Sequence, residues 1–185
     1  MKKIFLDCGT HYGEGLNDFI QRYNIDKNWE VYSFEPNKYL WQEHFNNNPH
    51  TNIQYINKAI YIHDDTIVFN IAYPNTDASS IYGKHIGDSL YNSVEVQCID
   101  LSKFILDNFS KDDFIVVKMD IEGAEYEVLR KMIKDESLNY INDIYVEFHS
   151  HKDEYAILEN GENKESTFKL IDEIKSLGIN FTHWI

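Results

Sequence analysis

The chain has 185 residues, of which 43% are hydrophobic and 26% charged; this predicts one folded domain over residues 1–185 and excludes global disorder. Its 17 basic and 31 acidic residues give a formal net charge of −14, which repels phosphate backbones and anionic lipids and argues against nucleic acid or membrane partners. No apolar run approaches the roughly 20 residues that cross a bilayer, and Asp7 comes too early for a signal peptide, so we expect a cytoplasmic protein.

The first part of the chain alternates strand and helix patterns. Lys3–Cys8 is an apolar run closed by Gly9, and apolar residues from Leu16 to Tyr23 follow at helical spacing. Residues 30–34 predict a second strand, and residues 39–45 predict its helix. Each pair is one unit of a sheet whose parallel strands are joined by crossover helices.

Short strand patterns dominate the middle of the chain. After a third strand at residues 53–56, residues 60–62, 67–72 and 94–98 alternate without a long helix between them, which predicts hairpin-like strands. Residues 74–92 have loop composition and are long for a connection in a compact domain. They predict a lid or substrate loop, with a passive insertion as the alternative.

Regular alternation resumes towards the end of the chain. Residues 114–119 predict the most apolar strand, residues 124–133 a helix and residues 141–148 the next strand. Residues 166–176 predict a further helix, and residues 179–185 a terminal strand. We therefore predict an α/β sandwich with a mostly parallel central sheet and helices on both faces.

The turn after the first strand combines an acidic residue with glycines, at Asp7, Gly9 and Gly13. Glycines let a ligand approach the backbone closely. The turn lacks the G-x-G-x-x-G pattern of dinucleotide sites and the Lys-Ser/Thr of phosphate-gripping loops, and Asp7 would repel a pyrophosphate. It favours a ligand that is cationic at this point, such as one with an amino group or a sulfonium, over a purely structural turn.

A second candidate, Glu35, follows the second strand within Phe34-Glu35-Pro36. In a doubly wound fold, a carboxylate at this place is positioned to accept hydrogen bonds from ribose hydroxyls. A solvated carboxylate at a strand end is the alternative, but the glycine turn one βαβ unit upstream favours the ribose interpretation.

Three carboxylates, Asp120, Glu122 and Glu125, follow the most apolar strand. Asp120 and Glu122 are candidates for chemistry, with capping of the next helix as the alternative, and Glu125 is interpreted as facing water. His149 follows the next strand, and the carboxyl ends of strands in such sheets converge on one crevice. We therefore expect Asp120 and His149 to be neighbours.

Together these residues resemble the FkbM-type methyltransferases, a family of S-adenosylmethionine-dependent O-methyltransferases, over nearly the whole chain. Asp7-x-Gly9-x-x-x-Gly13 resembles the first cofactor motif of the family, residues 34–36 its second, and residues 117–125 (VKMDIEGAE) its most specific signature. The resemblance implies a Rossmann-like class I methyltransferase sandwich with S-adenosylmethionine as cofactor. It also points to a sugar, glycan or other small metabolite as the acceptor.

The resemblance further implies roles for individual residues. Asp7, Gly9 and Gly13 would shape the methionine pocket, and Glu35 would hold the ribose. The other candidates are Asn57 and Ala59 bordering adenine, Ser79 and Ser80 on the loop that closes the site, and Asp120 beside the cofactor.

Methyl transfer is an in-line displacement at a methyl group activated by positive sulfur, so an enzyme mainly aligns donor and acceptor and excludes water. Asp120 and His149 are the candidate bases for the hydroxyl proton, with Glu122 third. A divalent ion held by the same three residues is the rival to this metal-free arrangement. Two other functions stay open: a catalytically silent cofactor-binding module, and a nicotinamide oxidoreductase, which the absent G-x-G-x-x-G turn disfavours.

Overall fold

The computed structural model describes residues 1–47, 52–73, 79–82, 90–149 and 161–184. In chain order its strands are β1 (Lys3–Cys8), β2 (Trp29–Phe34), β3 (Ile53–Ile56), β4 (Ala59–Tyr61), β5 (Asp65–Tyr73), β6 (Leu90–Asp100), β7 (Phe114–Met119), β8 (Asp143–Val146) and β9 (Asn180–His183). The helices are α1 (Glu14–Arg22), α2 (Lys38–Asn47), α3 (Leu101–Asn108), α4 (Glu125–Lys134) and α5 (Lys164–Ser176), with a 3-10 helix at Ser137–Tyr140.

Six strands form the main sheet in the order β3-β2-β1-β7-β8-β9, and every neighbouring pair is parallel. The predicted parallel central sheet is therefore confirmed. Because all six strands run the same way, their carboxyl ends meet at one edge. The chain moves outward from β1 in one direction through β2 and β3, and returns to the other side of β1 as β7. Open α/β sheets bind their ligands at such a reversal of strand order.

Alternate side chains of the central strands pack against helices on opposite faces. Ile4 and Leu6 of β1 belong to a large apolar cluster that includes residues of α3, α4 and α5. Phe5, between them, packs on the other face with Phe19 of α1 and Val116 of β7. This period of two is what a strand buried on both faces requires, and it confirms the prediction of helices on both faces.

A second sheet has the order β4-β6-β5, in which β4 is parallel to β6 and β5 is antiparallel to it. The hairpin-like pairing predicted for the middle of the chain is thus confirmed for β5 and β6 but not for β4, which runs parallel to β6. Ser80 adds a short bridge to β5, because the backbone groups of Asn70 and Ser80 exchange hydrogen bonds of 2.8 and 3.0 Å.

Among the described elements, one helix and the extent of β8 depart most from the prediction. Helix α3 was not predicted, although Asp100 has a capping position before it and accepts a hydrogen bond from the Lys103 backbone at 3.1 Å. Strand β8 is shorter than the predicted span of residues 141–148, because residues 137–140 form a 3-10 helix and residues 147–149 leave the sheet. Residues 147–149 instead turn towards the end of β7, where His149 lies beside Asp120.

Most of the predicted lid at residues 74–92 lies outside the described residues; of it, 79–82 and 90–92 are described, and residues 90–92 belong to β6 rather than to a loop. The lid stays a prediction. Residue 185, the end of the predicted last strand, is likewise outside the description. None of the helices within the described ranges is long and apolar enough to cross a membrane.

Candidate active site

A cavity of about 300 Å³ opens at the carboxyl edge of the main sheet, beside the ends of β1, β2 and β7. Its walls include the turn after β1, the end of β2 and the turn after β7. This volume lies at the lower end of the range of about 300 to 1,000 Å³ that small-molecule sites occupy. The lining residues used below are Gly9, His11, Tyr12, Glu14, Phe34, Glu35, Leu40, Ala59, Ile60, Asp120 and Glu122.

Gly9 brings the turns after β1 and β7 into close contact. Its backbone has φ +80°, and a Cβ atom placed on it would lie 1.8 Å from the carbonyl oxygen of Asp120. The Gly9 amide also donates to the carbonyl of Phe34 at 3.1 Å, and the Asp120 amide donates to the carbonyl of Cys8 at 3.0 Å. Only glycine fits at position 9, where these hydrogen bonds connect the ends of β1, β2 and β7.

Glu35 is buried at the end of β2, and its carboxylate organises the backbone around it. One oxygen accepts from the His11 amide at 3.0 Å and the other from the Asn37 amide at 2.8 Å. Burial raises the pKa of Glu35 to about 7, against the opposing effect of these two donors. The side-chain amide of Asn57 donates to the Glu35 carbonyl at 2.8 Å, so Asn57 helps to fix the backbone at the end of β2.

The signature begins within β7 and contains a buried cation there, Lys118, that was not predicted from the sequence. Its Nζ donates to the Gly9 carbonyl at 2.5 Å and lies 3.5 Å from both Asp7 Oδ1 and Asp120 Oδ2. The side chain also packs over the Trp184 ring, 4.9 Å from its centroid. The presence of a lysine within the most apolar strand could have indicated this cluster, because a buried positive charge needs negative charges beside it.

Asp7 is fully buried next to Lys118, its direct neighbour across β1 and β7. Among the described residues, neither of its carboxylate oxygens has a hydrogen-bond partner. From the sequence, we expect a cationic ligand beside Asp7. In the structure, Lys118 provides the positive charge at this place. Asp7 lies below the cavity rather than in its wall, and its part in cofactor binding stays a prediction.

Asp120 and His149 are neighbours, as expected from their places after β7 and β8. The His149 Nε2 atom lies 3.6 Å from Asp120 Oδ1 and 3.1 Å from Glu122 Oε2. Asp120 and Glu122 line the cavity, whereas the His149 side chain is 1% exposed and lies behind them. The three predicted residues thus form one cluster at the edge of the cavity.

Glu125 is fully buried, so its interpretation as a water-facing residue was wrong. Its carboxylate accepts from the Ile121 amide at 2.9 Å and the Gly123 amide at 3.0 Å, and it lies 3.1 Å from His149 Nδ1. No side chain caps α4 at Ala124. Glu125 therefore stabilises the turn of the signature by accepting hydrogen bonds from its backbone amides. The alternative drawn from the sequence had Asp120 and Glu122 cap the helix instead.

The charges in this cluster shift one another's pKa values. Burial opposes the charged imidazole of His149, but Glu125 and Glu122 outweigh it and raise the pKa of His149 well above its ordinary value. Burial raises the pKa of Asp120, while Lys118 and His149 act in the opposite direction. The carboxylates around His149 thus favour the charged form of its imidazole.

Other predicted residues are placed around the same edge. Ala59 lines the cavity, and Gly13 begins α1 with φ +87°. Ser80 is fully buried, and its hydroxyl donates to the Glu122 carbonyl at 2.5 Å. Glu122 itself has φ +55°, a conformation that costs energy in a residue with a side chain and that Ser80 helps to hold.

The parallel sheet and the cavity at the strand-order reversal define an α/β domain with a ligand site at its carboxyl edge. A crystal structure of Methyltransferase FkbM from Methylobacillus flagellatus KT superposes with a TM-score of 0.53 over 95% of this chain, at 16% sequence identity. At that identity the likeness shows the fold alone, and this chain corresponds to 37% of that chain. No curated protein matches the sequence significantly.

Residues 7–179 match the family described as Methyltransferase FkbM domain. The chain therefore belongs to the FkbM methyltransferase family. The resemblance found in its motifs is confirmed.

Proposed function

We propose that this chain transfers a methyl group from S-adenosylmethionine to a hydroxyl group, with a sugar or glycan as the acceptor. The observation that carries the proposal is the charge of the cavity wall. Four carboxylates line it, and none of its lining residues within the described ranges is a lysine or arginine. A sulfonium and an ammonium group suit such a wall, whereas a pyrophosphate would meet repulsion. The four are Glu14, Glu35, Asp120 and Glu122.

The shape of the cavity also fits this donor. Glu35 offers a buried carboxylate at the end of β2, where ribose hydroxyls would donate to it. Apolar side chains beside it suit the faces of an adenine ring, and the Gly9 turn admits the methionine part close to the backbone. The apolar residues are Phe34, Leu40, Ala59 and Ile60.

S-adenosylmethionine supplies a methyl group that is already activated by its bond to positive sulfur. The residues of this chain would align the acceptor oxygen with that methyl group and keep water away. As the oxygen–carbon bond forms and the sulfur–carbon bond breaks, the hydroxyl proton passes to a base. We assign that role to Asp120, because its carboxylate lines the cavity and His149 lies behind it.

An aromatic side chain at the cavity supports a sugar as acceptor. Tyr12 is 42% exposed and also lines the cavity, and its ring packs against His11 at a centroid distance of 4.3 Å. The apolar C–H face of a sugar ring packs well on an aromatic ring such as that of Tyr12. The sugar hydroxyls would then face the carboxylates of the cavity wall. We expect Tyr12→Ala to raise the KM for the acceptor more than that for the methyl donor.

The experiment is methyl transfer from labelled S-adenosylmethionine to a panel of sugars and glycans. We expect product with at least one acceptor, and a rate at least a hundredfold lower for Asp120→Asn. Asp112→Asn, an exposed residue before the same strand, is the matched control and should keep the rate. Binding of the donor without transfer to any acceptor would instead support the catalytically silent module.

A further inference from the structure

We propose that Asp120, Glu122 and His149 form a binding site for a hard divalent cation, such as Mg²⁺ or Mn²⁺, at the edge of the cavity. Each residue offers one ligand atom, and the three atoms lie within 4.8 Å of one another. The set combines an imidazole nitrogen from the segment after β8 with two carboxylates from the turn after β7.

The distances between these atoms suit a shared ion. His149 Nε2 lies 3.1 Å from Glu122 Oε2 and 3.6 Å from Asp120 Oδ1. Adjacent ligands of an octahedral cation with bonds of about 2.1 Å are separated by about 3.0 Å. The ligand atoms therefore need only shifts of a few tenths of an ångström to meet one ion.

Two buried groups outside the triad orient its members. Glu125 Oε1 lies 3.1 Å from His149 Nδ1, which leaves Nε2 directed at the carboxylates. Lys118 Nζ lies 3.5 Å from Asp120 Oδ2, which leaves Oδ1 directed at His149. A carboxylate behind a ligating histidine is the usual arrangement that fixes its ring at a metal site.

The local charge also favours a cation. Glu147 Oε1 lies 3.9 Å from His149 Nε2, so four carboxylates surround one imidazole. Lys118 is shared between Asp120 and Asp7, and it offsets only part of this charge. Oxygen ligands in the majority select hard ions such as Mg²⁺ or Mn²⁺ over zinc.

A cation here would face the cavity, because Asp120 and Glu122 belong to its wall. Its remaining coordination positions would be open to the acceptor hydroxyl and would make its proton easier to remove. This last consequence rests on the proposed methyl transfer, and it would replace the base role assigned to Asp120, whose two oxygens would then face the cation and Lys118. Binding of the cation itself does not rest on methyl transfer, so the two proposals fail separately.

The test is Mn²⁺ binding to the full chain, freed of metal by a chelator and followed by electron paramagnetic resonance without any methyl donor. We expect one saturable site per chain and at least tenfold weaker binding in Asp120→Asn and in Glu122→Gln. Glu125→Gln, which touches no ion, should weaken binding about 10- to 100-fold by releasing the imidazole. Thermal unfolding of each variant shows that it is folded.

Asp64→Asn is the matched control, because Asp64 is exposed and belongs to another acidic group, with Asp65 and Asp107. It should leave the Mn²⁺ affinity unchanged. The proposal is overturned if the wild type shows no saturable site, or if Asp120→Asn and Glu122→Gln bind Mn²⁺ as tightly as the wild type does.

Discussion

Glu35 is a buried carboxylate at the cavity wall, and its two backbone donors do not fully offset the cost of burial, because its pKa is still raised. We predict that Glu35→Gln weakens binding of S-adenosylhomocysteine about tenfold or more, since a hydrogen bond to a charged acceptor contributes about 1.5 to 3 kcal/mol. Glutamine keeps one acceptor oxygen, so only one of the His11 and Asn37 amides stays paired, and thermal unfolding shows whether the variant is folded. Titration calorimetry measures the effect, with Glu30→Gln, on the same strand, as the control. Equal affinity for S-adenosylhomocysteine in the Glu35 and Glu30 variants would show that Glu35 does not contact the ligand.

The raised pKa of Glu35 also predicts a dependence of stability on pH. Its folded pKa of about 7 exceeds the ordinary value of 4.5, so between these values the folded state binds more protons than the unfolded state. The contribution of Glu35 to stability is therefore most favourable below pH 4.5, and it is lost as the pH rises towards 7. From pH 5 to 8 we expect the wild type to lose roughly 2 to 3 kcal/mol relative to Glu35→Gln in urea unfolding. A constant difference between the two proteins would contradict the assignment.

Lys118 is expected to stabilise the site through Asp7. In Lys118→Met the Asp7 carboxylate stays buried without its cation, which typically costs about 3 to 5 kcal/mol. Adding Asp7→Asn should recover part of that loss, because the uncompensated charge is then removed. Urea unfolding of the wild type, both single variants and the double variant measures this coupling. If the loss in the double variant equals the sum of the losses in the two single variants, the two charges act independently.

At the residue scale, the sequence predicted three of the four acids that line the cavity, all but Glu14, but not the groups that hold them. Asp120 and Glu35 stand at strand ends, and that position alone directs them to the carboxyl edge. Lys118 and Glu125 are recognised only when their partners are known. Those partners, Asp7 and His149, are more than 20 residues away in the chain, so no local pattern reveals the contacts.

At the scale of elements, the turn after β1 depends on Gly9. A Cβ atom there would lie 1.8 Å from the Asp120 carbonyl oxygen, so we predict that Gly9→Ala costs more than about 3 kcal/mol or prevents folding. Gly178→Ala is the matched control, because Gly178 has the same φ of +80° with open space around it. It should cost only about 1 to 2 kcal/mol. Similar losses in urea unfolding for both variants would contradict the close approach of the two turns.

Elements with a strong pattern were predicted well. The bounds predicted for β1 and β7 agree with the structure, because strands buried on both faces are continuous apolar runs between turn residues. Helix α3 was missed because it follows β6 without a connecting loop: Asp100 both ends the strand and caps the helix, whereas the predicted strand stopped at residue 98. The extent of β8 depends on packing that the local sequence does not determine.

At the scale of the whole molecule, the topology brings distant segments to one cavity. Parallel pairing places the ends of β1, β2, β7 and β8 at one edge, which the alternation of strands and helices predicted. The order of strands across the sheet and the direction of each side chain arise from packing between distant segments, and these were not predictable. The small sheet contributes as well, because Ser80 connects it to the signature turn at Glu122.

The most direct test of the acidic cavity is titration calorimetry of the wild-type chain with S-adenosylmethionine and, separately, with NAD⁺. Because the wall carries carboxylates around a glycine turn, we predict that S-adenosylmethionine binds once per chain with micromolar-range affinity. NAD⁺, whose pyrophosphate would face the same acids, should give no binding heat. Binding of NAD⁺ as tight as that of S-adenosylmethionine, or no binding of S-adenosylmethionine at all, would contradict the account.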